Sequence, residues 1–268
     1  MNRIEQTFKE LRAENKKAFI AFITAGYPGL EATAALIREF DRIGVDIVEL
    51  GVPFSDPLAD GPIIQEASQD ALKRNVHPAD IIRMVKNVRK DVSIPICLMT
   101  YYNPVFCFGE EKFVKEAQAA GVDGIIVPDL PPDEGRSLMR LSREHGLDMI
   151  CFLAPTSTPE RVDYIASVSR GFIYYVSLIG VTGPRSRLPD DLIGHVKAIK
   201  KATGKPVCVG FGVSTPQQVR QIHRIADGVI VGSAIVAAIK EYKDSPDMVA
   251  RVGKFVQRLK GQAAESHV

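Results

Sequence analysis

Gly44-Val45-Asp46-Ile47-Val48-Glu49-Leu50 is the stretch that decides the architecture. A stripe of Leu36, Ile37, Phe40 and Ile43 precedes it at helical spacing, so Gly44 stands where a left-handed residue closes a helix. The apolar run that follows is too short for a stable helix and rich in Ile and Val, so it reads as a buried strand. The unit recurs as Gly121-Val122-Asp123 before the run 124–127, and as Ala226-Asp227-Gly228 opening the run 228–231. Working outward, apolar runs at 18–24, 45–50, 94–100, 124–127, 149–154, 172–178, 206–210 and 228–231 alternate with amphipathic segments. Eight strand–helix repeats in about 250 residues is the count of an α/β protein built as a (β/α)8 TIM barrel. Residues 1–268 read as a single domain with an N-terminal helix, since no Ser/Gly linker or change of composition divides them. An open doubly wound sheet is the alternative, because periodicity alone does not establish closure.

Composition restricts function without choosing it. Apolar residues make up 46% and charged residues 25%, an ordinary globular balance. With 34 basic against 32 acidic residues there is no general pull toward nucleic acid, although a local cationic patch is compatible with that balance. Cys97, Cys107, Cys151 and Cys208 are dispersed and form no CxxC pair, so they read as reduced thiols, and no metal site is expected. No run approaches the ~20 apolar residues of a membrane span. The apolar segment 18–26 follows Lys16 and Lys17, but Glu5, Glu10 and Glu14 ahead of it make an amphipathic helix with Ile4, Phe8 and Leu11 on one face, not a signal peptide. A cytoplasmic location is the expectation.

Loops after barrel strands form the catalytic face. The longest follows strand two and contains Val52-Pro53-Phe54-Ser55-Asp56-Pro57-Leu58-Ala59-Asp60-Gly61-Pro62, with room for an extra helix; another begins at Ile179. Glu49 lies near the carboxyl end of strand two, among apolar residues. Desolvation there raises a carboxyl pKa toward neutrality, which suits a group that gives and accepts protons. Asp60 lies just beyond, in a position that a turn residue could also take, as could Asp56; Asp129 ends strand four. Gly210-Phe211-Gly212 ends strand seven, Gly232-Ser233 ends strand eight before a helical run, and Gly183 lies in the strand-six loop. Glycine amides and a helix start at Ser233 would suit a phosphate. None of His77, His145, His195, His223 or His267 falls at a strand end, and no strand-end lysine is placed for a Schiff base. HExxH, Walker A and GxSxG motifs are absent, so carboxylate acid–base chemistry remains.

Residues 48–62 closely resemble the signature of the tryptophan synthase alpha subunit family. Tyr101-Tyr102-Asn103-Pro104, Pro128-Asp129-Leu130-Pro131, Gly180-Val181-Thr182-Gly183, Gly210-Phe211-Gly212 and Gly232-Ser233-Ala234-Ile235-Val236 follow in the family's order over nearly the whole chain. The resemblance implies a TIM barrel that performs retro-aldol cleavage of indole-3-glycerol phosphate to indole and glyceraldehyde 3-phosphate. It implies that Glu49 is the acid–base residue, that Asp60 pairs with the indole N–H, and that Tyr174 is the active-site tyrosine, with Tyr175 beside it. Phe22, Met99, Ile126, Leu153, Thr182, Phe211 and Ile230 match positions around the indole, and Gly183, Gly212, Gly232 and Ser233 the phosphate. Pro53, Asp56, Pro57, Asn103, Pro104 and Phe106 match surfaces facing a beta subunit. That partner, which carries pyridoxal phosphate, implies an alpha2-beta2 tetramer; no cofactor is expected in this chain. Leu178-Ile179 before Gly180 departs from relatives that carry arginine in this loop. The competing readings are a stand-alone lyase, another phosphate-binding barrel such as a sugar-phosphate isomerase, and a catalytically silent allosteric partner.

Overall fold

A computed structural model describes residues 2–176, 190–210 and 212–261. The chain runs α1 (Arg3–Ala13), β1 (Ala18–Thr24), α2 (Leu30–Arg42), β2 (Ile47–Gly51), α3 (Pro62–Lys73), α4 (Pro78–Val88), β3 (Ile96–Met99), α5 (Tyr102–Phe108), α6 (Glu110–Ala120) and β4 (Gly124–Ile126). It continues with α7 (Arg136–Glu144), β5 (Asp148–Leu153), α8 (Pro159–Val168), β6 (Ile173–Val176), α9 (Asp190–Ala202), β7 (Val207–Gly210), α10 (Pro216–His223), β8 (Gly228–Val231), α11 (Ser233–Tyr242) and α12 (Met248–Lys260). The eight strands close into a parallel barrel in sequence order. The seam is β1 on β8, with Ala18 opposite Gly228 and Ala21 opposite Val231. That pairing excludes the open sheet.

The repeated turn units explain the regularity. Gly44 and Gly121 both take left-handed φ values, 70° and 90°. The aspartate after each then ties a neighbouring strand: Asp46 accepts from the Phe19 amide at 2.7 Å and Asp123 from the Ile96 amide at 2.9 Å. Asp227, in the third unit, accepts from the Val207 amide at 3.1 Å. The same closing turns shorten the strands relative to the apolar runs. The Val45 amide bonds back to the Phe40 carbonyl, so β2 begins at Ile47. The Ile94 amide goes to the Asp41 side chain, so β3 begins at Ile96.

Two apolar layers result. Leu36, Ile37, Phe40, Val48 and Leu50 belong to the layer between helices and sheet. Ile20, Ile47, Cys97, Ile126, Ile150, Tyr174, Cys208 and Ile230 belong to the inner cluster, joined at its base by Ile4 and Phe8 of α1. Alternation along each strand assigns successive residues to opposite faces. Helix α1 therefore plugs the amino-terminal end of the barrel. Asn2 caps it by accepting from the Ile4 amide, while its own amide group donates to the Asp123 carbonyl at 2.7 Å.

Candidate active site

Alternation in β2 sends Ile47, Glu49 and Gly51 inward and Val48 and Leu50 outward. Glu49 stands beside Phe22 on one neighbouring strand and Cys97 on the other. Its side chain is fully buried, and neither carboxylate oxygen has a hydrogen-bond partner among the described residues. Burial pushes its pKa up to about 8. A buried carboxyl left without donors stays protonated near neutrality, and it remains free to pass the proton on.

Asp60 is held by the loop that follows β2. Its amide bonds to the Pro57 carbonyl at 3.0 Å, forming a tight turn. The Tyr101 hydroxyl, at the end of β3, donates to the Asp60 carboxylate at 3.0 Å and accepts from the Ala59 amide at 2.9 Å. Burial raises the Asp60 pKa to about 6, and the Tyr101 hydrogen bond opposes that rise. At neutral pH Asp60 is therefore mainly an anion while Glu49 mainly holds a proton. Two carboxyls with different environments thus take different protonation states.

Tyr174 joins them. It belongs to the inner cluster, its ring lies 4.8 Å from that of Phe152, and a Cβ added at Gly210 would come within 2.6 Å of its hydroxyl. Its pKa is driven well above the usual value, first by burial and then by the charges of Glu49 and Asp60. Tyr175 points the other way, its hydroxyl 3.0 Å from His195 Nδ1 on α9. The register between the adjacent tyrosines is settled by the alternation of β6.

Phe22 borders the site: a Cβ on Gly51 would fall 2.6 Å from its ring and one on Gly232 within 3.3 Å. Ile126 and Ile230 face the interior, with Met99 packed against the same cluster. Leu153 does not. It packs in the outer layer, and Phe152 takes the inward place because Ile150 and Phe152 share one side of β5. The sequence-based assignment was one residue out of register there. At the carboxyl ends of β7 and β8, Gly212 has φ of 73° and α11 begins at Ser233 after Gly232, without a side-chain cap. An uncapped helix start presents free amides and the positive end of its dipole. Thr182, Gly183 and Phe211 lie outside the described residues.

On the outer rim, Asp56 and Asn103 are exposed, Phe106 is 65% exposed and Pro104 is half-buried. Pro53 and Pro57 are instead buried, and Leu58, at 92% exposure, is the apolar side chain their loop presents. Sequence reasoning missed Phe152 and the role of Tyr101. Strict alternation in β5 would have found Phe152; Tyr101 stood in a recognised motif, but its bond to Asp60 joins loops 41 residues apart. His223 contacts the Ala18 carbonyl at the barrel base and His145 the Leu141 carbonyl within α7, away from the carboxylates. Among the described residues no cluster of three His, Cys, Asp or Glu is arranged to hold a metal.

Closed topology with two differently tuned carboxyls at the strand ends defines a (β/α)8-barrel enzyme of the acid–base type. Comparison with known proteins narrows this class. The family model for tryptophan synthase alpha chain matches residues 8–264. The tryptophan synthase alpha chain of Geobacter sulfurreducens is 48% identical over 260 residues, covering 97% of this chain and 98% of that one. That of Geotalea uraniireducens is 46% identical, covering 97% of each. The crystal structure of tryptophan synthase subunit alpha from Legionella pneumophila superposes with a TM-score of 0.90 at 38% identity, covering 97% of each chain. The chain belongs to the tryptophan synthase alpha chain family. This is a carbon–carbon lyase of tryptophan biosynthesis, cleaving indole-3-glycerol phosphate to indole and glyceraldehyde 3-phosphate.

Proposed function

We propose that Glu49 and Asp60 divide the retro-aldol reaction between them. Glu49 delivers its proton to indole C3, and the ring becomes an iminium-like cation. Asp60 accepts the ring N–H and lowers the energy of that cation electrostatically. The ionised Glu49 then takes the proton from the hydroxyl on the carbon attached to C3. The C3–carbon bond breaks, its electrons restore the indole ring, and the oxygen-bearing carbon leaves as the aldehyde. One proton is given and one recovered, so the enzyme ends as it began. The observation that carries this reading is the fully buried Glu49 carboxyl, unpartnered among the described residues, together with the Tyr101-bonded Asp60.

Tyr174 and the inward Met99, Phe152, Ile126 and Ile230, with Phe22 at their border, would enclose the ring, and Gly212 after β7 with Gly232 and Ser233 at the start of α11 would hold the phosphate. Pyridoxal phosphate then belongs to a beta subunit, not to this chain. Exposed Leu58 and Phe106 on the rim, with Asp56 and Asn103 beside them, suit docking to that subunit in an alpha2-beta2 tetramer. A cytoplasmic setting fits this assembly, and among the described residues no helix is long and apolar enough to cross a membrane. The test is indole release from indole-3-glycerol phosphate by the purified chain, with and without a beta subunit. The Asp60→Asn protein should be slower by about 10²–10³-fold, and the beta subunit should raise the wild-type rate. An Asp60→Asn rate equal to wild type would overturn the role given to Asp60.

A further inference from the structure

The end of the barrel opposite the catalytic mouth carries a second concavity, unrelated to the carboxylates above. It lies between α1 and the turns that lead into β6 and β7, with a volume of about 500 Å³. Its charged lining is Lys9, Arg12, Arg143, Arg170 and Lys205 against a single carboxylate, Glu5. In a chain of 34 basic and 32 acidic residues that is a concentration of one sign.

Helical spacing explains part of it: Glu5, Lys9 and Arg12 share one flank of α1, while Phe8 between them turns into the barrel base. Arg143, in the last turn of α7, closes the opposite wall. Lys9, Arg12 and Arg143 enter no ion pair among the described residues. Arg170 is shared between Asp148 at 3.4 Å and Glu5 at 3.9 Å. Lys205 donates to the carbonyls of Ala166 and Ser169 and forms no ion pair among the described residues, so its charge is hydrogen-bonded but not directly paired. Burial lowers the Lys205 pKa; the neighbouring Arg170 and Arg143 act in the same direction, while Cys151 and Asp148 oppose them. Cations that disfavour one another across a cleft are stabilised together by one multivalent anion.

We propose that this cleft binds a di- or triphosphate group, gripped by Lys9, Arg12 and Arg143. Guanidinium forks match phosphate oxygens in pairs, and the volume admits a ligand of nucleotide size. The cleft is a half-open concavity with Lys9, Arg12 and Arg143 exposed on its walls, and among the described residues the one aromatic in its lining, Phe8, is buried. Recognition therefore rests on the anionic groups and not on base stacking or an extended polymer track.

Isothermal titration of the full chain with inorganic pyrophosphate, and separately with ATP, tests this. Saturable binding that weakens as salt rises is expected for either probe. The Arg12→Ala/Arg143→Ala protein should bind at least tenfold more weakly, with its melting temperature and indole formation unchanged. Lys9→Gln, a milder exposed change, should weaken binding a few-fold by itself. Glycerol 3-phosphate, offered as a ligand for the mouth, should not displace the probe. Tighter binding of ATP would assign the source to a nucleotide, and equal or weaker binding to free polyphosphate. No saturable binding of either probe, affinity unaltered in the double variant, or displacement by glycerol 3-phosphate would each overturn the proposal.

Discussion

Two buried carboxylates, Glu49 in β2 and Asp123 just before β4, show how the same chemical group serves opposite ends of one barrel. Asp123 is 3% exposed at its side chain and is saturated with donors: Arg89 at 2.6 Å, Arg3 at 2.8 Å and the Ile96 amide at 2.9 Å. Glu49 is equally buried and has no partner at all among the described residues. The donors around Asp123 come from Arg3 of α1, Arg89 at the end of α4 and the start of β3, so this carboxylate clamps strand and helices together. One stripped of donors stores a proton. Burial alone does not set the protonation of a carboxyl; the donors packed around it decide as well.

The sharpest break in that comparison is Glu49→Gln. Indole formation should fall about 10²–10⁴-fold, read in a steady-state assay. Stability should move in the other direction. Below the unfolded pKa near 4.5 both states carry the proton; between there and the folded value of about 8 the unfolded carboxyl ionises while the folded one keeps its proton. Rising pH therefore erodes wild-type stability across this window, by up to about 1.4 kcal/mol per pH unit, and Gln removes that slope. Denaturant midpoints of the two proteins at pH 5 and pH 8 decide it; parallel losses with pH would mean Glu49 is not held protonated.

Asp123→Ala should do the reverse, costing about 3–5 kcal/mol in folding free energy because Arg89, 9% exposed, would be left as an unpaired cation. Protein that remains folded should keep its turnover per active site, and a selective loss of turnover would contradict the clamp. Tyr101→Phe tests the intermediate case of Asp60, which has one side-chain donor among the described residues. Asp60 must be ionised to act, so activity should fall as pH drops through about 6. Without the hydroxyl that limb should shift to higher pH, with roughly tenfold lower activity near pH 6. An unmoved limb would mean that Tyr101 only packs. The smallest effect belongs to carboxylates in water. Arg38→Ala breaks a pair with Asp91 whose side chains are 44% and 55% exposed, and should change stability by less than about 1 kcal/mol.

Much of this was present in local pattern. The alternation of apolar runs with helical stripes, and the Gly-Val-Asp units closing them, determined the order of elements because turn chemistry and periodicity act over a few residues. The signature 48–62 likewise carried the two carboxyls, Glu49 and Asp60, that are proposed to act on the substrate. Closure came only with β1 meeting β8 across more than 200 residues, a contact no local pattern encodes. Tertiary structure also chose between neighbours. It turned Tyr174 inward and Tyr175 toward His195, and it put Phe152 rather than Leu153 in the barrel, since a one-residue change of register exchanges the faces of a strand. It drew Tyr101 onto Asp60 and left Glu49 without a hydrogen-bond partner among the described residues, because hydrogen-bond satisfaction depends on what three-dimensional packing brings within about 3 Å.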